Sequence, residues 1–107
     1  MVKTLYTGIS KGTEKLVTNG KVHQSQFNVM RCPFQEGEFN FPIKYGYINV
    51  GKIIDGPSSI VGKTIFSLSP HQTIFVISIK NIHFIANKNI KKYLLTANME
   101  TAVNIFW

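Results

Sequence analysis

The chain has 107 residues, 44% of them hydrophobic, including eight phenylalanines and four tyrosines. That length holds one core with little room for a second, and the apolar content argues against disorder. Twelve Lys and Arg against five Asp and Glu give a formal net charge of +7, which favours anionic partners in general.

The lysines are scattered, with only Lys88, Lys91 and Lys92 close together, so a solvated basic face is favoured over a dedicated nucleic-acid surface. The single cysteine, Cys32, excludes an intramolecular disulfide framework and fits a reducing compartment. No signal-peptide pattern is present, and the apolar runs are too short to span a bilayer. The expected setting is the cytoplasm.

In chain order, residues 2–9 read as a strand broken at Gly8, followed by the polar turn Ser10-Lys11-Gly12-Thr13-Glu14. Glu14-Lys15-Leu16-Val17 can form a helical turn, which Asn19-Gly20 ends. Residues 21–40 are irregular. Phe27, Val29 and Met30 suit a short helical face, while Pro33 and Gly37 mark a long crossing loop. Residues 41–54 are rich in aromatic and β-branched residues and read as the central bent strand or strand pair, divided by Gly46 and Gly51. Each glycine marks a place where the strand bends or another segment comes close.

Asp55-Gly56-Pro57-Ser58-Ser59 is a turn, and Thr64 to Leu68 a strand with Ile65 opposite the Phe66 and Leu68 face. Ser69-Pro70-His71-Gln72 turns the chain into a nearly continuous apolar strand over 73–79, then a shorter run over 82–86. Asn89 is placed to cap a helix beginning at Ile90 and continuing through Leu94, Leu95, Met99 and Val103. The expected organisation is a mainly β, partly open barrel over residues 1–88 and a helical segment over 89–107. Its ending, Phe106-Trp107, is apolar and suggests that the helix or a next domain continues, with an amphipathic terminal helix docked on the barrel as the alternative.

Chemistry is sparse. His23, His71, His83 and Cys32 form no close ligand pair, so no metal site is expected. Cys32 lacks a local base and reads as a small buried hydrophobe. Glu36 and Glu38 share a face if their loop is extended, and Glu14, Asp55 and Glu100 lie elsewhere. His71, at a predicted hairpin tip, is a candidate acid/base group, with a locally bonded turn histidine as the alternative. The turn from Gly8 to Thr13 offers Lys11 and backbone donors to a phosphate. Gly62-Lys63-Thr64 lacks the glycine arch of a phosphate loop, and no Gly-x-Gly-x-x-Gly occurs.

The order of Thr7-Gly8-Ile9-Ser10-Lys11-Gly12-Thr13-Glu14, residues 41–53, Val61-Gly62-Lys63-Thr64-Ile65-Phe66, Ser69-Pro70-His71-Gln72 and Leu95-Thr96-Ala97-Asn98-Met99-Glu100-Thr101-Ala102 resembles one family. It is similar to the GroES-like (chaperonin-10-like) catalytic domain of the medium-chain dehydrogenase/reductase superfamily, in its zinc-type alcohol dehydrogenase-like branch. The resemblance implies a bent, partly open β-barrel facing a Rossmann domain, with NAD(P) held mainly by the latter. It also implies a fragment, shortened before Val2 and after the terminal helix, that is inactive alone. The family's zinc ligands would fall at Ser10 and Tyr47, with Ile48 at a glutamate position, so zinc-independent chemistry is implied. Lys11 would meet the cofactor pyrophosphate, and Tyr47 and His71 would donate a proton or hydrogen bond near a substrate carbonyl. The rivals are a self-associating interaction module using the apolar C-terminal segment and a small basic nucleic-acid-binding domain.

Overall fold

The computed structural model describes residues 1–39 and 41–106, without the Phe106 side chain. The expectation attached to the aromatic ending Phe106-Trp107 therefore lies outside the described side chains. The described chain combines short strands, most of them in one sheet, with short helices. A five-stranded antiparallel sheet has the order β6-β1-β4-β5-β7, from β1 (Val2–Thr7), β4 (Asn49–Ile53), β5 (Thr64–Ser67), β6 (Ile74–Phe75) and β7 (His83–Phe84). A separate two-stranded ribbon joins β2 (Glu36–Gly37) to β3 (Ile43–Lys44). The described strands form an open sheet rather than a closed barrel.

Alternation along β5 sets the two faces of the sheet. Ile65 packs with Val2, Ile53 and Ile82 on one side, and Phe66 with Ile48 and Val50 on the other. Gly51 sits inside β4, where a Cβ would lie 2.5 Å from Val2 Cγ1 and 2.9 Å from the Lys3 carbonyl. That is the close approach expected of it. Gly46 is the actual break, because β3 ends at Lys44 and β4 starts at Asn49. The residue 41–54 segment thus holds two strands that belong to different sheets and do not pair with each other.

Two expectations fail. The apolar run over 73–79 contributes only Ile74 and Phe75 to the ladder, since Phe75 already pairs with Val2, the first residue of β1. Apolar content without a neighbouring strand gives extended chain, not sheet. Asn89 does not cap by its side chain. It has left-handed dihedrals, φ 52 and ψ 45, whereas a capping residue needs extended ones. The segment begins as a 3₁₀ helix over Ile90–Leu95 and becomes regular only in α3 (Thr96–Phe106). Ile90, Tyr93, Leu94 and Ala97 pack on the Phe66 face. Among the described residues, no helix is long and apolar enough to cross a membrane.

A third apolar cluster lies under the irregular region. Val17, from α1 (Thr13–Thr18), joins Cys32, Phe39 and Tyr45, with Phe27 and Met30 of α2 (Phe27–Met30) against them. Phe39 stacks at a tilt on both Phe27 and Tyr45, with ring centroids 5.3 and 5.6 Å apart. The supposed crossing loop is therefore a small packed unit. Cys32 is buried here, and burial pushes its thiol up, which keeps it protonated and inert.

Tyr45 donates its hydroxyl to the Met30 carbonyl at 2.7 Å, and burial pushes its phenol up to about 12. A raised pKa means the folded state holds this proton after the unfolded chain, with a pKa of about 10, has lost it. Stability is then fully present below about pH 10 and falls as pH rises toward 12. Alkaline urea titrations should show that loss, and Tyr45→Phe should flatten it. A wild-type profile unchanged between pH 10 and 12 contradicts the burial argument.

Candidate functional site

Three segments distant in sequence meet at His71. The end of β1 supplies Thr7, the helical turn α1 supplies Glu14, and the turn after β5 supplies His71 itself. The His71 backbone N–H donates to the Tyr45 carbonyl at 3.0 Å, pinning the turn against the strand break. The ring lies against Gly46, where a Cβ would fall 2.7 Å from Nε2. Gly46 also has φ +120, a conformation side-chain-bearing residues rarely adopt. The glycine therefore serves both the bend in the chain and the seating of the imidazole.

Side-chain hydrogen bonds hold the ring at both nitrogens. The Thr7 hydroxyl lies within reach of the Ile48 carbonyl, at 2.9 Å, and of His71 Nδ1, and its one proton serves either. His71 Nε2 contacts Glu14 Oε1, while Glu14 Oε2 accepts the Ser10 backbone N–H. An ionised carboxylate can only accept, so beside ionised Glu14 the Nε2–H is the donor. Glu14 is only 7% exposed, but its partner's side chain is 31% exposed, so the pair sits at a wall rather than inside the core.

That wall separates two cavities. One, of about 490 Å³, is lined by Ile9, Ser10, Lys11, Lys15 and Asn19 together with Glu14, Thr18 and His71. Lys11 and Lys15 are exposed and have no carboxylate within ion-pair distance among the described residues. The other cavity, of about 390 Å³, is lined by Val17, Phe41, Ile43, Lys44 and Tyr45 with the same Glu14, Thr18 and His71. The first carries two lysines and Ile9, and the second one lysine, Lys44, beside Val17, Phe41, Ile43 and Tyr45.

Of the residues singled out from the sequence, His71 and Lys11 come together on the first cavity. Tyr47 does not join them there. Its half-buried ring packs between two core clusters and lines a separate cavity with Ala97, Asn98, Glu100 and Thr101. His71 is bonded across 64 and 57 residues, so it is not the locally bonded turn histidine of the alternative reading. Among the described residues, no three His, Cys, Asp or Glu side chains converge as metal ligands.

Sequence reasoning missed Glu14, Thr7 and Thr18. Glu14 carried one usable signal, an acid in the first turn of a helix, which favours backbone N–H groups there. Its bond back to Ser10 N–H agrees with that signal. Nothing local marks its pairing with His71. Comparison with family models, with curated proteins and with solved structures finds no match.

Proposed function

We propose that this chain is the substrate-side part of an NAD(P)-dependent, zinc-independent oxidoreductase, with no turnover of its own. The observation that carries the reading is the shared wall: Glu14, Thr18 and His71 border one hollow edged by Lys11 and Lys15 and another edged by Phe41, Ile43, Tyr45 and Lys44. A nucleotide phosphate suits the side with the two lysines, and a small substrate would take the other. The open antiparallel sheet agrees with a bent, partly open GroES-like barrel of the medium-chain dehydrogenase/reductase superfamily. The cytoplasm is the proposed setting.

Lys11 and Lys15 would hold the phosphates of NAD(P)H, which would supply the hydride when bound. The rest falls to the chain's own residues. Thr7 and Glu14 orient the imidazole, and His71 holds the proton that neutralises a developing alkoxide. Transfer requires the substrate oxygen to displace one of the two present His71 partners. Glu14 is therefore a positioning residue.

The test is reconstitution. A Gly-x-Gly-x-x-Gly-bearing βαβ domain encoded beside this chain should oxidise NAD(P)H against carbonyl compounds only when the two polypeptides are combined. His71→Ala should then lower kcat by about 10²-fold or more, the usual contribution of a general acid. Turnover by the 107-residue chain alone, or an unchanged rate with His71→Ala, overturns the reading.

A second reading rests on α3. Met99 and Val103, spaced by one helical turn, are 60% and 46% exposed, and Leu95, at the end of the preceding 3₁₀ helix, is 60% exposed. An apolar stripe of this kind suits self-association, with the chain acting as an interaction module. Light scattering across concentration should then show a dimer that Met99→Lys dissolves. A monomer at every concentration removes this reading.

A further inference from the structure

We propose that the chain pairs with a second copy of itself through the outer edge of β6, one extended run lying antiparallel to the other about a two-fold axis. This edge shares no residue with the His71 wall or with α3, so the pairing is independent of both readings of function.

The backbone defines the edge. The Thr4 N–H donates to the Thr73 carbonyl at 2.8 Å, and Val2 pairs with Phe75. Thr73 and Phe75 thus turn their hydrogen-bonding groups toward β1, and Ile74 turns its own away. Burial goes on alternating past the ladder, with Phe75 and Ile77 against the Ile65 core and Ile74, Val76 and Ser78 exposed. Val76 therefore repeats the orientation of Ile74. The outward N–H and C=O groups of these two residues have no hydrogen-bond partner among the described residues. Their side chains are exposed as well, Ile74 by 51% and Val76 by 80%.

A hollow of about 580 Å³ runs along the same edge. Ile74, Phe75, Val76, Ile77 and Ser78 all border it. Side chains of one face would supply only every second residue, so the run presents its backbone edge to the hollow. Lys44, which also lines it, is held 3.0 Å from Glu36.

Self-complementarity and charge make the occupant a second copy. Centred on Phe75, an antiparallel copy sets Ile74 against Val76 and Phe75 against Phe75, apolar pairs throughout. The outward backbone groups of Ile74 and Val76 then bond to each other in both directions. No Lys, Arg, Asp or Glu lies between Lys63 and Lys80, so no like charges meet within the paired run. The opposite edge of the sheet is guarded. There β7 has only two residues, and the Lys63 ammonium lies 5.3 Å from the Phe84 ring centroid. Pairing at β6 alone closes on a dimer, whereas β6 on β7 would run on as a filament.

Sedimentation equilibrium of the full chain from ~10 μM to ~1 mM should show a monomer–dimer equilibrium, the weak range of a small interface. Each copy carries a formal charge of +7, so screening should tighten the dimer. At least about a threefold gain is expected between ~0.05 and ~0.5 M salt. The Val76 amide should resist hydrogen exchange at the highest protein concentration and exchange readily on dilution. Val76→Lys should weaken the dimer at least about tenfold with the spectrum of the folded chain unchanged, and Met99→Lys should leave it intact. A monomer throughout, a dimer whose Val76 amide is unprotected, a dimer lost in Met99→Lys but not in Val76→Lys, or growth beyond the dimer overturns the inference.

Discussion

Replacing Gly46 with alanine is expected to destabilise the chain by about 2–4 kcal/mol and to unseat His71. Two independent causes act at this position. The φ of +120 is strained for any residue with a Cβ, which costs about 1–3 kcal/mol where the surroundings enforce it. The new methyl would also sit 2.7 Å from His71 Nε2 and 2.8 Å from Cδ2, closer than side-chain carbons approach. The ring can relieve the contact only by leaving Glu14 and Thr7, so stability and site geometry fall together. Urea unfolding reads the first effect and the His71 ring resonances the second. A loss under about 0.5 kcal/mol, the level of an ordinary surface substitution, refutes the close approach.

Glu14→Ala is expected to cost about 2–3 kcal/mol, with Glu14→Gln costing roughly 1. Alanine removes both acceptor oxygens at once, leaving the Ser10 N–H and His71 Nε2 without their partner. Glutamine keeps one oxygen for Ser10 and turns an amide N–H toward the imidazole. The figure for alanine is below that of a fully buried ion pair because His71 is partly open to water, which takes over some of the lost bonding. Equal losses for the two variants would show that the charge matters and the hydrogen bonds do not. A loss below about 0.5 kcal/mol for alanine would remove Glu14 from the structure of the site.

The two faces of the sheet illustrate what a local pattern can carry. Ile65 and Phe66 are adjacent, and alternation alone assigns them to opposite cores, where they are found. The same alternation misleads over residues 73–79. Their composition suits a strand as well as that of β5 does, yet a ladder also needs a second backbone within reach. Gly46 was readable as a break in the residue 41–54 segment, but its service to His71 was not, because the imidazole comes from 25 residues downstream in sequence and meets it only after folding.

Composition and periodicity by themselves determined short strands separated by turns, a break near Gly46 in the segment 41–54, a buried cysteine and a basic turn at Lys11. These follow from side-chain shape, burial and backbone preference within a few residues. Only the tertiary structure decided that Glu14 and Thr7 hold His71, that Tyr47 faces another cavity, and that Glu14, Thr18 and His71 form a wall between two hollows. The physical reason is range. A hydrogen bond between side chains 57 or 64 residues apart leaves no trace in the local pattern at either end, because each residue type is compatible with many other surroundings.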